Sequence, residues 1–261
     1  MNNFPEFSIV TVCFNSEKTI TKTIESVLVQ KFNNYEYIIV DGVSNDGTMD
    51  IVKSYEAKFN GRLRYISEPD KGIYDAFNKG VRMSKGKYVW IVNSDDYIEP
   101  DALENLYKIT SLYSSDNAPI ITGGLRLVKN GNQEILIGTP EKAKIAYMKD
   151  YMGAAHPSTL IPKYIYNQIG LYDDRYNIAG DLAWFHNAYG RGIEYLFVET
   201  VITNMLCEGI SSRPNFKKDL EDRILFFRSK YKNRLHRAIK GLRWCLHYVR
   251  LNLKYYKSRQ G

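Results

Sequence analysis

Lys87-Tyr88-Val89-Trp90-Ile91-Val92-Asn93-Ser94-Asp95-Asp96-Tyr97 is the stretch whose reading decides the fold. Its β-forming residues carry no charge between Lys87 and Asp95, the pattern of a strand buried on both faces of a parallel sheet. The carboxyl end of that strand delivers two adjacent acids, and open α/β sheets bind their ligands outside the carboxyl ends of strands. Two crowded carboxylates repel each other, and a hard divalent cation with oxygen ligands, carrying a phosphate, relieves the repulsion. Asp95 and Asp96 are therefore read as a metal-diphosphate site. The plainer alternative is an acidic turn in front of the helix that Pro100 and Asp101 begin.

Working outward, residues 7–14 (Phe-Ser-Ile-Val-Thr-Val-Cys-Phe) form a first strand ending at Asn15 and Ser16. Ser16 is placed to cap a helix whose apolar residues Ile20, Ile24, Val27 and Leu28 recur at helical spacing. Tyr37-Ile38-Ile39-Val40 is a second strand, ending in Asp41, with a flexible run 42–48 and a helix marked by Ile51, Val52, Tyr55 and Phe59 behind it. A third strand spans 63–66, and Ile73, Phe77 and Val81 mark the apolar face of the helix before the central strand. This alternation predicts a parallel sheet with right-handed crossovers, its carboxyl ends all pointing one way. Phe14-Asn15, Asp41, Glu68-Pro69-Asp70-Lys71-Gly72 and Asn93-Ser94-Asp95-Asp96 then converge on one crevice. The turn after the first strand has no glycine, which argues against a dinucleotide fingerprint, and no P-loop is present. Phosphate is expected to be held through a metal.

The bulk composition fits this frame. With 261 residues, 44% hydrophobic and 25% charged, the chain suits one large α/β domain with an appendage or two small domains. Cys13, Cys207 and Cys245 are far apart and in no metal spacing, so reduced thiols in a cytoplasmic protein are expected. The opening Met-Asn-Asn-Phe-Pro-Glu is no export signal, and no stretch reaches the roughly 18 apolar residues of a membrane span. The net charge of +7 is uneven: from Lys217 onward 14 Lys and Arg face three acids, leaving a body of charge −4. That asymmetry points to a docking tail rather than to a body that binds nucleic acid.

In order and in register over residues 5–110, four motifs resemble the nucleotide-binding half of family-two glycosyltransferases. They are Ile9-Val10-Thr11-Val12-Cys13-Phe14-Asn15, the run from Asp41 to Thr48, the run from Glu68 to Gly80, and Asn93-Ser94-Asp95-Asp96. The bacterial enzymes that build capsule, colanic acid or O-antigen are the most similar in pattern. The resemblance implies the GT-A fold, a mostly parallel sheet flanked by helices, with inverting sugar transfer from a nucleotide diphosphate, a uridine one above all. It implies a nucleotide half at 1–110, an acceptor half at 111–215 and a separate tail at 216–261.

Residue by residue, the resemblance puts Thr11, Phe14, Asn15, Asp41, Lys71, Asn78 and Asp95 around the nucleotide. Phe14 would lie against the base and Asp41 would accept from a pyrimidine N–H; the alternative for Asp41 is an Asx-turn residue. Asn78 and Lys71 read equally as a helix-face amide and a solvated lysine. Asp96, with Asp95, matches the motif that contacts Mn²⁺ or Mg²⁺, although Asn93 stands where a stricter pattern has an acid. Inversion requires a base for the acceptor hydroxyl, and Asp181, after Gly180 at the start of a helix bearing Leu182, Phe185 and Ala188, matches it. The alternative there is a first-turn acid that favours the helix dipole. His156 and Trp184 are candidates for the acceptor site, or for the core.

In the tail, Leu235, Ile239, Leu242, Leu246, Val249, Leu253 and Tyr256 alternate spacings of four and three, giving a basic amphipathic helix of about 33 Å. Docking on an anionic membrane surface beside a lipid-linked or other glycan acceptor is one expectation, on the inner face of the cell membrane. The heptad spacing suits packing on the body or a homo-oligomer equally. Two other classes are the alternatives: a nucleotidyltransferase, which needs a glycine-rich basic turn after the first strand, and a non-catalytic protein binding nucleic acid or membrane through its basic charge. The acidic body argues for no nucleic acid.

Overall fold

The computed structural model of the chain describes residues 4–129, 132–136 and 154–206. The proposed tail, Cys207, Cys245 and part of the stretch expected to contact the sugar lie outside these residues. Four strands, β1 (Phe7–Cys13), β2 (Tyr35–Asp41), β3 (Leu63–Ser67) and β4 (Tyr88–Ile91), pair in parallel in the order β3-β2-β1-β4. Helices α1 (Ile20–Leu28), α2 (Thr48–Tyr55, continued by a 3₁₀ turn to Phe59) and α3 (Ile73–Met83) form the crossovers between them. The sheet does not stop at β4. Beyond it lie β8 (Thr159–Pro162), β6 (Ile120–Lys129), β9 (Tyr195–Leu206) and β5 (Tyr97–Ile98), with β7 (Asn132–Leu136) paired to β6. The β4–β8, β8–β6 and β9–β5 pairs are antiparallel, so both parts of the described chain share one mixed sheet.

Alternation along the strands builds two cores. Ile9, Cys13, Tyr37, Ile39, Trp90 and Val92 face α1, α2 and α4 (Ala102–Thr110). Val10, Val12, Ile38, Val40, Val89 and Ile91 face α3, α5 (Lys163–Ile169) and α6 (Gly180–Gly190). A strand covered on both faces needs no polar residue, which is why β4 reads as an unbroken apolar run. α3 lies tight on β1: a Cβ at Gly80 would stand 2.3 Å from Val10 Cγ1.

Two local expectations are corrected. Ser16 does not cap α1, which begins later, after Thr19, with no side-chain cap; the Ser16 carbonyl accepts from the amides of Thr19 and Ile20 in an intervening turn. On α3 the buried face is carried by Tyr74, Phe77 and Val81, whereas Ile73 is 40% exposed. Tyr74 takes the inward place because it packs against Phe77 and Tyr172.

Candidate functional site

The carboxyl ends of β1 to β4 lie along one edge, and four loops meet there. The first two are laced together. The Asn15 amide donates to Ser44 Oγ (2.8 Å), the Asn45 amide to Asn15 Oδ1 (3.0 Å), and the Gly47 amide to Glu17 Oε2 (2.9 Å). Asn15 and Val43 both sit at positive φ, +51° and +66°. For a β-branched residue that is a strained conformation, of the kind held in place at functional sites. Phe14 is left 62% exposed at the end of β1 and Val43 48% exposed beside it in sequence to Gly42, so two apolar groups face outward at this rim.

Asp41 is fully buried beneath that rim. Its Oδ1 accepts from the Ser44 hydroxyl (2.5 Å), and its Oδ2 from the Ser44 amide (3.0 Å) and the Ser67 hydroxyl (2.6 Å). Cys13 Sγ lies 3.6 Å from Oδ1. Asp41 thus forms the Asx-type turn and joins the ends of β2 and β3. The third loop is organised by Lys79, whose Nζ reaches the Pro69 carbonyl (2.6 Å), Glu68 (3.1 Å) and Asp75 (3.6 Å). Lys71 projects from it, 80% exposed, 3.9 Å from Asp174.

The fourth loop carries the paired acids. Ser16 and Ser94 hydroxyls meet at 2.8 Å and tie it to the first loop, while Thr23 donates to the Asp96 carbonyl (2.6 Å). Asp96 is 1% exposed. Among the described residues its side chain accepts two long bonds, from the Leu206 amide at the end of β9 (3.3 Å) and from Asn93 Nδ2 (3.3 Å). Burial, and then the neighbouring Asp95, hold the Asp96 carboxyl well above the usual range; burial raises Asp95 as well. Asn93 Oδ1 is buried without a hydrogen-bond partner among the described residues. Two desolvated acids and one orphaned amide oxygen form a set of hard oxygen donors that fits a divalent cation. Among the described residues no group of three or more His, Cys, Asp and Glu side chains is gathered to cage a metal alone. The fit is thus to an ion that completes its shell with substrate phosphates and water, as Mg²⁺ does.

Asp181 stands in the first turn of α6, where the helix dipole favours an anion. The Tyr74 hydroxyl lies against Asp181 Oδ1 (3.0 Å) and the Ile178 carbonyl. Tyr74 opens α3, directly after the third loop, so it brings Asp181 to the same edge of the sheet. Burial and the Asp181 charge raise the Tyr74 phenol far above its ordinary range, so it remains a proton donor. Gly180 lets α6 approach this closely: a Cβ there would lie 2.8 Å from the Tyr74 ring. Tyr74 is the site residue that sequence reasoning missed, and its place just after Gly72-Ile73 in the third motif was the available signal.

Other candidates take different places. Thr11 is fully buried and its hydroxyl accepts from Tyr37 (3.0 Å), in the core beneath the site. Asn78 is 5% exposed and uses both ends of its amide on the Tyr172 backbone, at 2.9 Å each, clasping α3 to the loop before α6. His156 is buried, stacked on Phe77 at 4.9 Å; burial lowers its pKa, against the opposing pull of the Asp181 charge. Trp184 is 4% exposed and donates to the Gly170 carbonyl (2.8 Å). These four serve the packing around the site. Phe14, Asn15, Lys71, Asp95, Asp96 and Asp181 lie at its edge.

Residues 8–133 match the family model described as "Glycosyl transferase family 2". Those residues form a family-two glycosyltransferase domain. Within it the chain is 38% identical over 104 residues to the chondroitin synthase of Escherichia coli, covering 40% of this chain and 15% of that protein. It is 39% identical over 101 residues to a putative teichuronic acid biosynthesis glycosyltransferase of Bacillus subtilis, covering 38% of this chain and 40% of that one. The chain thus spans well under half the length of either relative. Among solved structures, S. aureus TarS 1-349 in complex with UDP-GlcNAc superposes with a TM-score of 0.67 at 22% identity, over 89% of this chain and 69% of that one. The fold of the family-two domain and of the strands after it is GT-A. No described helix is long and apolar enough to cross a membrane.

Proposed function

We propose that this chain transfers a sugar from a uridine diphosphate sugar to a hydroxyl of a glycan or lipid-linked acceptor, with inversion, in the assembly of a bacterial surface polysaccharide. The observation that carries the reading is the Asp95/Asp96 pair. Both carboxylates are held above their ordinary range, and neither forms an ion pair with a described residue. Burying such charge is costly unless a cation belongs there. Asp96, Asp95 and Asn93 Oδ1 would hold Mn²⁺ or Mg²⁺. When bound, that ion would offset the negative charge that grows on the departing diphosphate.

Phe14 supplies a ring face for the base, and Lys71, whose exposed ion pair with Asp174 is 3.9 Å long, can turn toward the phosphates. Asp181 acts as the base: it takes the acceptor hydroxyl's proton while that oxygen bonds to the anomeric carbon on the face opposite the leaving diphosphate, whose bond to the sugar breaks. Tyr74 holds the carboxylate in place for this step. The names of the two relatives support a glycan acceptor, and the UDP-GlcNAc held by TarS supports a uridine donor.

The basic tail, read from sequence, is proposed to dock the protein on an anionic leaflet. The central test is UDP release from UDP-sugars in the presence of Mn²⁺ and a lipid-linked or oligosaccharide acceptor. Asp181→Asn is expected to keep UDP binding and lose at least 100-fold in transfer. Near-normal transfer by that variant removes Asp181 from the mechanism.

A further inference from the structure

We propose that His156, beyond its packing, forms part of the floor on which the transferred sugar lies, and that its imidazole holds one hydroxyl of that sugar. The inference rests on the nucleotide-sugar reading above and adds to it a specificity residue that the reading leaves out.

His156 opens the 3₁₀ turn His156–Ser158 that leads into β8. That turn is anchored on both sides. The Pro157 carbonyl accepts from the Trp90 indole of β4 and from the Thr203 hydroxyl of β9, at 2.8 Å each. The Ala155 carbonyl accepts from the Ser158 amide (3.1 Å) and the Thr159 hydroxyl (2.7 Å). His156 is thereby fixed at the carboxyl end of β4, the strand that runs on into Asn93 and the paired acids, and beside β9, whose Leu206 amide meets Asp96.

Its other neighbours belong to the base. The ring stacks on Phe77 of α3 and meets Phe185, one helical turn beyond Asp181 on α6, with ring centres 6.3 Å apart. Burial lowers the pKa of the ring and the Asp181 charge pulls it the other way, so the two groups are electrostatic neighbours. His156 thus stands between the acids that would face the diphosphate and the carboxylate that would take the acceptor's proton. The sugar must occupy that same interval, because its anomeric carbon is bonded to the diphosphate on one side and attacked by the acceptor oxygen on the other.

The polar edge of this ring is unused. Among the described residues neither nitrogen of His156 has a hydrogen-bond partner, although the residue is only 6% exposed. Neither nitrogen is sealed from solvent, so the small exposed part of the residue includes that edge. A phenyl ring would stack on Phe77 equally well, and a buried polar group without a partner is costly. A ligand group that pairs with the imidazole accounts for a histidine here. In either protonation state the ring has an N–H for a hydroxyl oxygen, and the neutral ring also accepts from an O–H. A hydroxyl, itself both donor and acceptor, matches it.

The test is calorimetric titration of UDP, UDP-glucose, UDP-galactose and UDP-GlcNAc, each with Mn²⁺, into wild type, His156→Phe and His156→Gln. For the sugar nucleotide that wild type binds most tightly, His156→Phe should lose about tenfold while UDP itself binds as before. His156→Gln, which keeps a donor and an acceptor, should recover part of that loss. Monodeoxy forms of the same sugar nucleotide identify the hydroxyl: one of them should bind wild type about tenfold more weakly and lose nothing further in His156→Phe. The His156→Phe protein should melt no lower than wild type, since the stack on Phe77 remains. An unchanged ratio of UDP-sugar to UDP affinity in both variants, or losses that add for every deoxy form, overturns the assignment and leaves the transferase reading standing. So does a rise in the KM for the acceptor alone, which would give the hydroxyl to the acceptor. If wild type binds no UDP in the presence of Mn²⁺, the transferase reading falls and the assignment of His156 with it.

Discussion

Replacing Asp96 by asparagine should make the metal-free protein more stable, an outcome that only a site built for a cation predicts. Asp96 is 1% exposed, its two hydrogen bonds to described residues are both 3.3 Å long, and its neighbours include Asp95 and an asparagine whose Oδ1 has no partner among those residues. Asparagine has the same shape, keeps an acceptor for the Leu206 amide, and removes a buried charge that stands beside Asp95. Relieving the desolvation of one buried, unpaired charged group is worth about 1–3 kcal/mol or more. At roughly 2–4 °C per kcal/mol for a chain of this size, the melting temperature should rise by about 3–10 °C. The sign with pH follows from linkage. The Asp96 pKa is higher folded than unfolded, so the unfolded chain ionises first and wild type loses stability as pH rises through that window. Below the ordinary aspartate pKa of about 3.9 the carboxyl is neutral in both states and the two proteins should converge. The assay is thermal unfolding in chelator-treated buffer from pH 4 to 8. A variant less stable than wild type at pH 7, or a gap that does not shrink toward pH 4, would refute the reasoning.

Three further outcomes follow from the geometry. Gly80→Ala puts a methyl group 2.3 Å from Val10 Cγ1, and urea unfolding should show a loss of about 1–3 kcal/mol from overpacking; an unchanged midpoint would mean that α3 does not sit on β1 as described. Tyr74→Phe removes the hydroxyl beside Asp181 and the Ile178 carbonyl, so kcat should fall while the KM for the donor holds; a change in KM alone would show that Tyr74 shapes the donor site instead. Phe14→Ala should weaken UDP by about 1–3 kcal/mol, the worth of one base–aromatic stack, and an unchanged dissociation constant by calorimetry would place the base elsewhere.

Much of the parallel half was legible in the sequence for a physical reason. Strands covered on both faces must be apolar throughout, and they end where polar loops begin, so the run 88–92 and the acids behind it mark a strand and a site edge together. The antiparallel half was less legible. β8, β6 and β9 are joined to β4 by long-range pairing, and β5 is only two residues long, so no local pattern announces that Leu206 will meet Asp96. Individual roles were harder still. Asp41 and Asp70 are both acids after a strand, and only the packing shows one bonded to Ser44 and Ser67 and the other leaning over Gly42. Likewise Tyr74 reads as one more aromatic on a helix until α6 is seen to place Asp181 beside its hydroxyl, some hundred residues on.

The most direct measurement of the central claim is UDP binding to wild type by calorimetry, with Mn²⁺ and with chelator, repeated on Asp96→Ala. The donor-site account predicts tight binding only with Mn²⁺ in wild type, at least tenfold weaker binding in chelator, and no metal response in the variant. UDP binding with the same affinity in chelator, or an Mn²⁺ response that survives Asp96→Ala, would contradict it.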